Sequence, residues 1–246
     1  MSLVTINDPQ AVFAQAEEGP QGLPLVQFPG THSTRWLLKL GLHGCCEVLG
    51  YQLAQRLGVP VMPVIPVWCP QAFGKRGQRA GEGRIGLAIR YAKTFEPITW
   101  EEAAETNPEA AAAALLLCTL DRYEWGQFAA TECGLVFYDL ERLFPCWCPE
   151  RTGSETWDDV ARRVRDMTDS YQRVISSCSQ EVFDEAEKLG LTKSLRKIAA
   201  NAATISSVEL VGIFDLDPHP LARQIVSVTA DITVMQFTLA AQHLTR

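Results

Sequence analysis

The pattern of hydrophobic positions changes character along the chain. Up to about Thr94 it consists mainly of short β-compatible runs, whereas from Trp100 onward apolar residues recur mostly at helical spacing. Two of the short runs, Leu25–Phe28 and Trp36–Leu40, flank Pro29–Thr34, a loop of small, polar and turn-forming residues. This arrangement predicts a β-hairpin near the start of the chain.

One helix interrupts the β-rich part. Leucines recur every four residues within Gly44–Leu57, which predicts an amphipathic helix that ends at Gly58. The proline-rich run Val59–Trp68 cannot continue this helix because each proline lacks an amide donor, so we expect an extended edge strand or connector. Beyond it, Gln71–Gly83 is rich in glycine and basic residues and is predicted to be an exposed loop, followed by a strand over Arg84–Tyr91.

Capping patterns mark the first helices of the second part. The segment that begins at Thr99 and reaches Glu102 has the capping-box pattern, in which a hydroxyl and a carboxylate satisfy each other's backbone amides. A second helix is predicted to begin after Asn107, with Pro108 in its first position, and to continue through Leu117.

A small hairpin and a helical remainder complete the predicted elements. Gln127–Thr131 and Leu135–Leu140 flank the turn Glu132–Gly134, which predicts two short antiparallel strands. The remainder, Ser154–Arg246, has the pattern of about four helices with a break near Asp215–Pro220.

The chain of 246 residues is long enough for one large domain or for two lobes that share a cleft. The change from short strands to helices favours the second arrangement. We therefore predict an α+β fold with a small β-rich lobe over residues 1–95 and a helical lobe over residues 96–246.

Composition and charge narrow the class of protein. The 22 Lys and Arg residues against 29 Asp and Glu give a formal charge of −7, which argues against a broad nucleic-acid surface. No apolar stretch approaches the roughly 20 residues of a membrane-spanning helix, and the first residues lack the pattern of a secretion signal. The eight cysteines are then expected to be reduced thiols, and the protein to be cytoplasmic without a membrane segment.

Four charged residues lie within or at the ends of predicted hydrophobic elements: Lys39, Glu47, Asp121 and Asp139. Phosphoryl transfer from a nucleotide needs a cation at the phosphates, an acid that orients this cation, a carboxylate at the acceptor hydroxyl and a metal-binding carboxylate. The four residues could fill these roles in chain order. Taken singly, each also has an ordinary explanation, such as solvation of a strand-end lysine or pairing of Asp121 with Arg122.

The ordered set resembles the HipA-like kinases, relatives of the phosphatidylinositol 4-kinase branch of the protein-kinase-like fold. The resemblance extends over about residues 23–145 and rests on five segments: Trp36–Lys39, Glu47–Pro60, Gly86–Tyr91, Leu120–Arg122 and Leu135–Asp139.

This resemblance implies a two-lobed, protein-kinase-like fold that uses ATP and Mg²⁺. It makes Lys39 the lysine that contacts the phosphates and Glu47 its partner. Asp121 becomes the catalytic-loop base, and Asp139 becomes the carboxylate that holds Mg²⁺.

The chain departs from the family pattern at a metal ligand. The asparagine that the family has five positions after its catalytic aspartate is replaced by Gly126, which has no side chain, and the nearest amide oxygen belongs to Gln127. A one-residue shift in an extended segment reverses the direction of the side chain, although a bulge at Gly126 would restore it. The loop that covers the nucleotide is also not obvious. The candidate is Pro29–Thr34, where Gly30 and Ser33 could meet phosphates or could belong to an ordinary turn.

Three functions remain open on these grounds. The first is an ATP- and Mg²⁺-dependent phosphotransferase that acts on a protein Ser or Thr hydroxyl. The second is a pseudokinase that serves as a nucleotide- or protein-binding regulatory module, which the glycine at position 126 favours. The third is transfer of another nucleotide-derived group, such as AMP. The protein substrate or regulatory partner has no signature in the sequence.

Overall fold

The computed structural model describes residues 4–7, 12, 16–19, 23–28, 34–39, 42–73, 79–120, 127–138, 140, 180–211 and 220–245. Within these ranges, only the backbone is described for residues 42–47, 70–73, 79–85, 220–226, 228–229 and 245.

A six-stranded sheet forms the β-rich part of the molecule. Its strands are β1 (Val4–Thr5), β2 (Glu17–Glu18), β3 (Pro24–Val26), β4 (Trp36–Lys39), β5 (Val64–Phe73) and β6 (Arg79–Arg90), in the spatial order β1-β5-β6-β4-β3-β2. The predicted hairpin is confirmed, because β3 and β4 pair antiparallel with Leu25 opposite Leu37. The first strand pairs in parallel with β5.

The long β5–β6 pair differs from the prediction in two ways. The proline-rich run is extended as expected, but β5 is not an edge strand, because the two-residue β1 pairs with it at Val67 and Trp68. The predicted loop over Gln71–Gly83 is largely strand, since β5 continues to Phe73 and β6 begins at Arg79. An antiparallel ladder is held by backbone hydrogen bonds, so it can extend through residues whose side chains favour loops.

Helix α1 (Leu42–Leu57) covers one face of this sheet and packs against β4 and β6. It ends as predicted at Gly58, whose φ of 76° is in the left-handed region that glycine adopts without strain. The opposite face of the sheet has a separate small core, which includes Trp36, Leu38 and Ala88.

The second part contains a three-stranded antiparallel sheet and most of the helices. The strands are β7 (Phe95–Ile98), β8 (Gln127–Thr131) and β9 (Gly134–Tyr138), in the order β7-β8-β9. The described helices are α2 (Trp100–Thr106), α3 (Pro108–Cys118), α4 (180–188), α5 (Thr192–Ala202), α6 (Ser207–Val211) and α7 (Pro220–Thr245). The predicted β8–β9 hairpin is confirmed, with a turn at Glu132 and Cys133.

Both predicted helix starts are confirmed by their hydrogen bonds. The Thr99 hydroxyl accepts from the Glu102 amide at 3.2 Å, while the Glu102 carboxylate accepts from the Thr99 amide at 2.8 Å. The Asn107 side chain accepts from the Ala110 amide at 3.1 Å, ahead of Pro108. Each cap satisfies an amide that the first helical turn leaves without a partner.

The main hydrophobic core joins the two parts. It contains Val48, Leu49 and Leu53 of α1 together with buried side chains of α3, α5 and α7. The α+β class is therefore confirmed, with a β-rich N-terminal part and a helical C-terminal part. The boundary at residue 95 stays a prediction. Within the described ranges, no helix has both the length and the apolar character that crossing a membrane requires.

Candidate functional site

The predicted site residues fall into two groups. Lys39 and Gln127 are described in full, and the backbone of Glu47 is described within α1. The other four, Gly30, Ser33, Asp121 and Asp139, lie outside the described residues, as does Gly126. Their roles stay predictions.

Lys39 lies on the sheet face that α1 covers. It is opposite Leu87 in the β4–β6 ladder, and directly opposed residues project from the same face. Leu87 belongs to the main core with α1, whereas the preceding pair, Leu38 and Ala88, belongs to the core on the other face. Lys39 is half-buried on the face where Leu87 is fully buried. An ammonium group in such surroundings is stabilised by an anion.

Helix α1 meets the segment that follows the β8–β9 hairpin. A Cβ atom added to Gly50 would lie 2.8 Å from Cβ and 2.9 Å from the carbonyl oxygen of Leu140, so the two backbones approach too closely for any other residue. Gly50 is one helical turn after Glu47, and Leu140 directly follows Asp139. The contact brings together the chain segments that carry these two predicted site residues.

A second backbone contact also links the β8–β9 hairpin to the segment that contains α1. The Phe137 amide in β9 donates to the Pro60 carbonyl oxygen, at 2.8 Å, in the segment that follows α1. The hairpin is thereby tied to the β-rich part of the molecule at a residue two positions before Asp139.

Gln127 lies opposite Tyr138 at the open end of the hairpin. Its amide oxygen accepts a hydrogen bond from the Tyr138 hydroxyl. A carbonyl oxygen has two lone pairs, so this bond leaves acceptor capacity on the predicted ligand. Among the residues that the structure describes, no three His, Cys, Asp or Glu side chains are grouped closely enough to hold a metal.

Glu132, at the turn of the hairpin, was not singled out by the sequence. Its carboxylate accepts from the amides of Lys93 and Thr94, at 3.0 and 3.1 Å, and from the Thr94 hydroxyl at 2.9 Å. These hydrogen bonds, first of all those from the two amides, lower the pKa of Glu132 to about 2. The partners are separated from it by 38 and 39 residues, so no local pattern could indicate the contact.

A group of buried polar residues was also missed. Thr119, Thr233 and Gln236 are the polar residues buried in the described part of the chain. The Gln236 amide of α7 donates to the Thr119 carbonyl oxygen at 3.5 Å, two positions before Asp121. Thr233 and Gln236 stand out as polar residues in the hydrophobic stretch of α7. The sequence alone does not indicate that this side of α7 packs against Thr119.

Comparisons with known proteins agree with this architecture at the level of the fold. No family model and no curated protein matches the chain. Among solved structures, the chain is similar to the Helicobacter pylori proinflammatory kinase CtkA, with a TM-score of 0.54 over 94% of this chain and 96% of that one. The sequences are 11% identical, so the similarity concerns the fold alone. The chain therefore has a two-lobed, kinase-like α+β fold.

Proposed function

We propose that this protein is an ATP- and Mg²⁺-dependent phosphotransferase of HipA-like type that acts on a protein Ser or Thr hydroxyl. The observation that carries the proposal is the close approach of Gly50 to Leu140, because it joins the helix of Glu47 to the residue that follows Asp139. The half-buried Lys39, on the sheet face beneath the same helix, supplies the required cation.

Each of the four charged residues has one task in the proposed reaction. The Lys39 ammonium group binds the nucleotide phosphates, and Glu47 orients it. The Asp121 carboxylate accepts the proton of the acceptor hydroxyl, the oxygen of that hydroxyl forms a bond to the γ-phosphorus, and ADP leaves. Catalysis of this kind depends on position and charge, since the transferred group needs little covalent help from the protein.

The oxygen donors at the open end of the hairpin suit Mg²⁺. The described donor is the Gln127 amide oxygen, which keeps a free lone pair beside its bond to Tyr138, and Asp139 would add a carboxylate. Oxygen ligands of this type are those that Mg²⁺ prefers. When bound, the ion neutralises the charge that develops on the phosphate oxygens.

The expected location in the cytoplasm belongs to the same proposal. Cys133, in the turn of the hairpin, is an exposed free thiol. Thiols persist in the reducing compartment, and a kinase finds ATP there as well.

A regulatory pseudokinase is the second candidate. Position 126 lacks the metal-binding asparagine, and the Tyr138 hydroxyl already occupies one of the two lone pairs of the Gln127 amide oxygen. A weaker metal site would retain nucleotide binding and reduce turnover, because charge in the transition state would be less well compensated.

Nucleotide binding and phosphate transfer test the proposal together. We expect ATP to raise the melting temperature of the wild type, with a larger rise when Mg²⁺ is present. Lys39→Ala should weaken ATP binding by about tenfold or more, which corresponds to about 1.4 kcal/mol. Asp139→Asn should remove the Mg²⁺ dependence. Asp121→Asn should bind Mg²⁺ and ATP as the wild type does but lose incorporation of labelled phosphate into protein.

The matched control is Lys193→Ala, which removes an exposed lysine of α5. It should leave nucleotide binding unchanged. A wild type that shows no stabilisation by ATP with Mg²⁺, or a Lys39→Ala variant that binds as tightly as the wild type, would refute the proposal. Stabilisation without phosphate incorporation in the wild type would select the pseudokinase.

A further inference from the structure

The segment that joins β6 to β7 connects the two sheets, and it is held at both ends. At its start, the Tyr91 amide donates to the carbonyl oxygen of Arg35, at 2.8 Å, just before β4. At its end, the amides of Lys93 and Thr94 donate to the carboxylate of Glu132. We call this segment, residues 91–94, the linker.

Glu132 continues the β7–β8 ladder with its side chain. The backbone pairing of these strands ends where Phe95 is opposite Thr131. Beyond this pair the chain turns away at Glu132, so the backbone of β8 cannot accept from the linker amides. The two carboxylate oxygens accept from them instead, one from Lys93 and the other from Thr94. The linker therefore keeps hydrogen-bond partners that the ladder itself no longer provides.

The turn that carries Glu132 is itself fixed. The Thr131 hydroxyl donates to the Gly134 carbonyl oxygen at 2.9 Å and accepts from the Cys133 amide at 3.1 Å. Gly134 has a φ of 100°, which a residue with a Cβ atom rarely adopts. Because the turn is fixed, the Glu132 carboxylate has a defined position. Its hydrogen bonds then fix the linker amides of Lys93 and Thr94.

The ring of Phe95 connects the linker to the open end of the hairpin, although the backbone of Phe95 pairs with Thr131 beside the turn. Phe95 follows Thr94, and its ring meets the ring of Tyr138 edge-on with a centroid separation of 4.8 Å. The Tyr138 hydroxyl donates to Gln127, and Tyr138 is the residue before Asp139. A change in the backbone at Thr94 would therefore be transmitted through one ring contact to the predicted metal-binding end of the hairpin.

We propose that Glu132 is a positioning residue that fixes the linker and, through the contact between Phe95 and Tyr138, the end of the hairpin beside Asp139. In this role it acts through the linker, Phe95 and Tyr138 and not by contact with the reacting groups. Its expected effect on nucleotide affinity rests on the proposed function, whereas its effect on the linker and hairpin does not.

The test uses the full-length Glu132→Gln variant. Glutamine has the same shape, but its amide group keeps only one acceptor oxygen. Its NH₂ group is a donor, so it cannot accept from the linker donors that the second carboxylate oxygen binds. We expect amide hydrogen exchange to accelerate about fivefold or more in peptides that cover the linker and in peptides that cover β8 and β9. The affinity for ATP with Mg²⁺ should fall by about fivefold or more, and phosphate transfer at saturating ATP should fall as well, because a displaced metal site compensates the transition-state charge less well.

Two further variants complete the design. Thr94→Val removes only the hydroxyl donor and should produce a smaller effect in the same direction, and it remains informative if Glu132→Gln does not fold. Glu187→Gln makes the same chemical change at an exposed position of α4 and should leave exchange and affinity unchanged.

The outcomes separate this inference from the proposed function. Unchanged exchange in the linker of Glu132→Gln, or faster exchange in the linker with an unchanged hairpin, would overturn the positioning role. Wild-type affinity in a variant whose linker and hairpin have both loosened would overturn it as well. If the wild type binds no nucleotide, the proposed function fails, and the exchange results alone decide the role of Glu132.

Discussion

At the scale of single residues, Glu132 combines an exposed carboxylate with three hydrogen-bond donors. Its pKa is lowered to about 2 from the ordinary value of 4.5, because the donors favour the charged form in the folded protein. A carboxyl whose pKa is depressed by folding contributes its full stabilisation above the unfolded value. That contribution is lost as the pH falls from about 4.5 to about 2.

This linkage gives a prediction for stability against pH. The difference in unfolding free energy between the wild type and Glu132→Gln should be constant above about pH 5 and should shrink as the pH approaches about 2. Urea denaturation at a series of pH values would measure it. A difference that persists undiminished at the lowest pH would contradict the role assigned to the carboxylate charge.

The sequence pointed to Lys39 as a candidate but gave no sign of Glu132. Lys39 was recognisable because a charge in an otherwise apolar strand is costly unless it has a partner. Glu132, in contrast, resembles any acidic residue in a hairpin turn. Its importance comes from donors 38 and 39 residues away, and only the folded chain brings them within reach.

At the scale of secondary-structure elements, α1 and residue 140 approach each other closely beside the candidate site. Gly50 leaves no room for a Cβ atom because both Cβ and the carbonyl oxygen of Leu140 are within 3 Å of its position. Neither α1 nor the backbone at Leu140 can relieve such a clash by a simple rotamer change. The packing of α1 against Leu140 therefore requires glycine at position 50.

We predict that Gly50→Ala destabilises the protein by about 1–3 kcal/mol, the usual cost of overpacking a filled site. The sign of the stability change tests the contact, because a Gly→Ala substitution in an unobstructed helix stabilises the protein by about 1 kcal/mol. Urea denaturation would measure the change, with Gln55→Ala at an exposed position of α1 as the control. An increase in stability for Gly50→Ala would show that α1 does not press against Leu140.

Elements with local signals were predictable, whereas the full extent of a strand that follows its partner was not. The cap at Asn107 and the end of α1 at Gly58 follow from the chemistry of a few adjacent residues, and both are confirmed. The continuation of β5 to Phe73 was missed because residues 71–73 resemble a loop until their partners in β6 are known. Strand extent is set by the partner as well as by the strand.

At the scale of the whole molecule, one core serves both parts of the fold. Leu49 and Leu53 of α1 are fully buried against the helices of the C-terminal part. The exposed ion pair between Arg56 of α1 and Glu209 of α6, at 3.7 Å, adds little to the stability of this contact because water screens the charges. Burial of apolar side chains, rather than surface charge, joins the parts.

Truncation of this core should loosen both parts together. Leu49→Ala is expected to cost about 2–5 kcal/mol, the range for removing a buried leucine side chain. Hydrogen exchange should accelerate in β6 and in α5 alike. The control is Val208→Ala, which changes a side chain that is 74% exposed and should alter stability by about 0.5 kcal/mol or less. Faster exchange confined to the sheet would contradict a shared core.

The position of α1 also limits how the gene segments for the two parts can recombine. The helix belongs by sequence order to the β-rich part, yet its buried face is completed by helices encoded more than fifty codons later. A gene fragment for either part alone would specify a chain with an open apolar face, prone to aggregate. Recombination near the linker could therefore exchange the two halves only between relatives whose α1 faces still match.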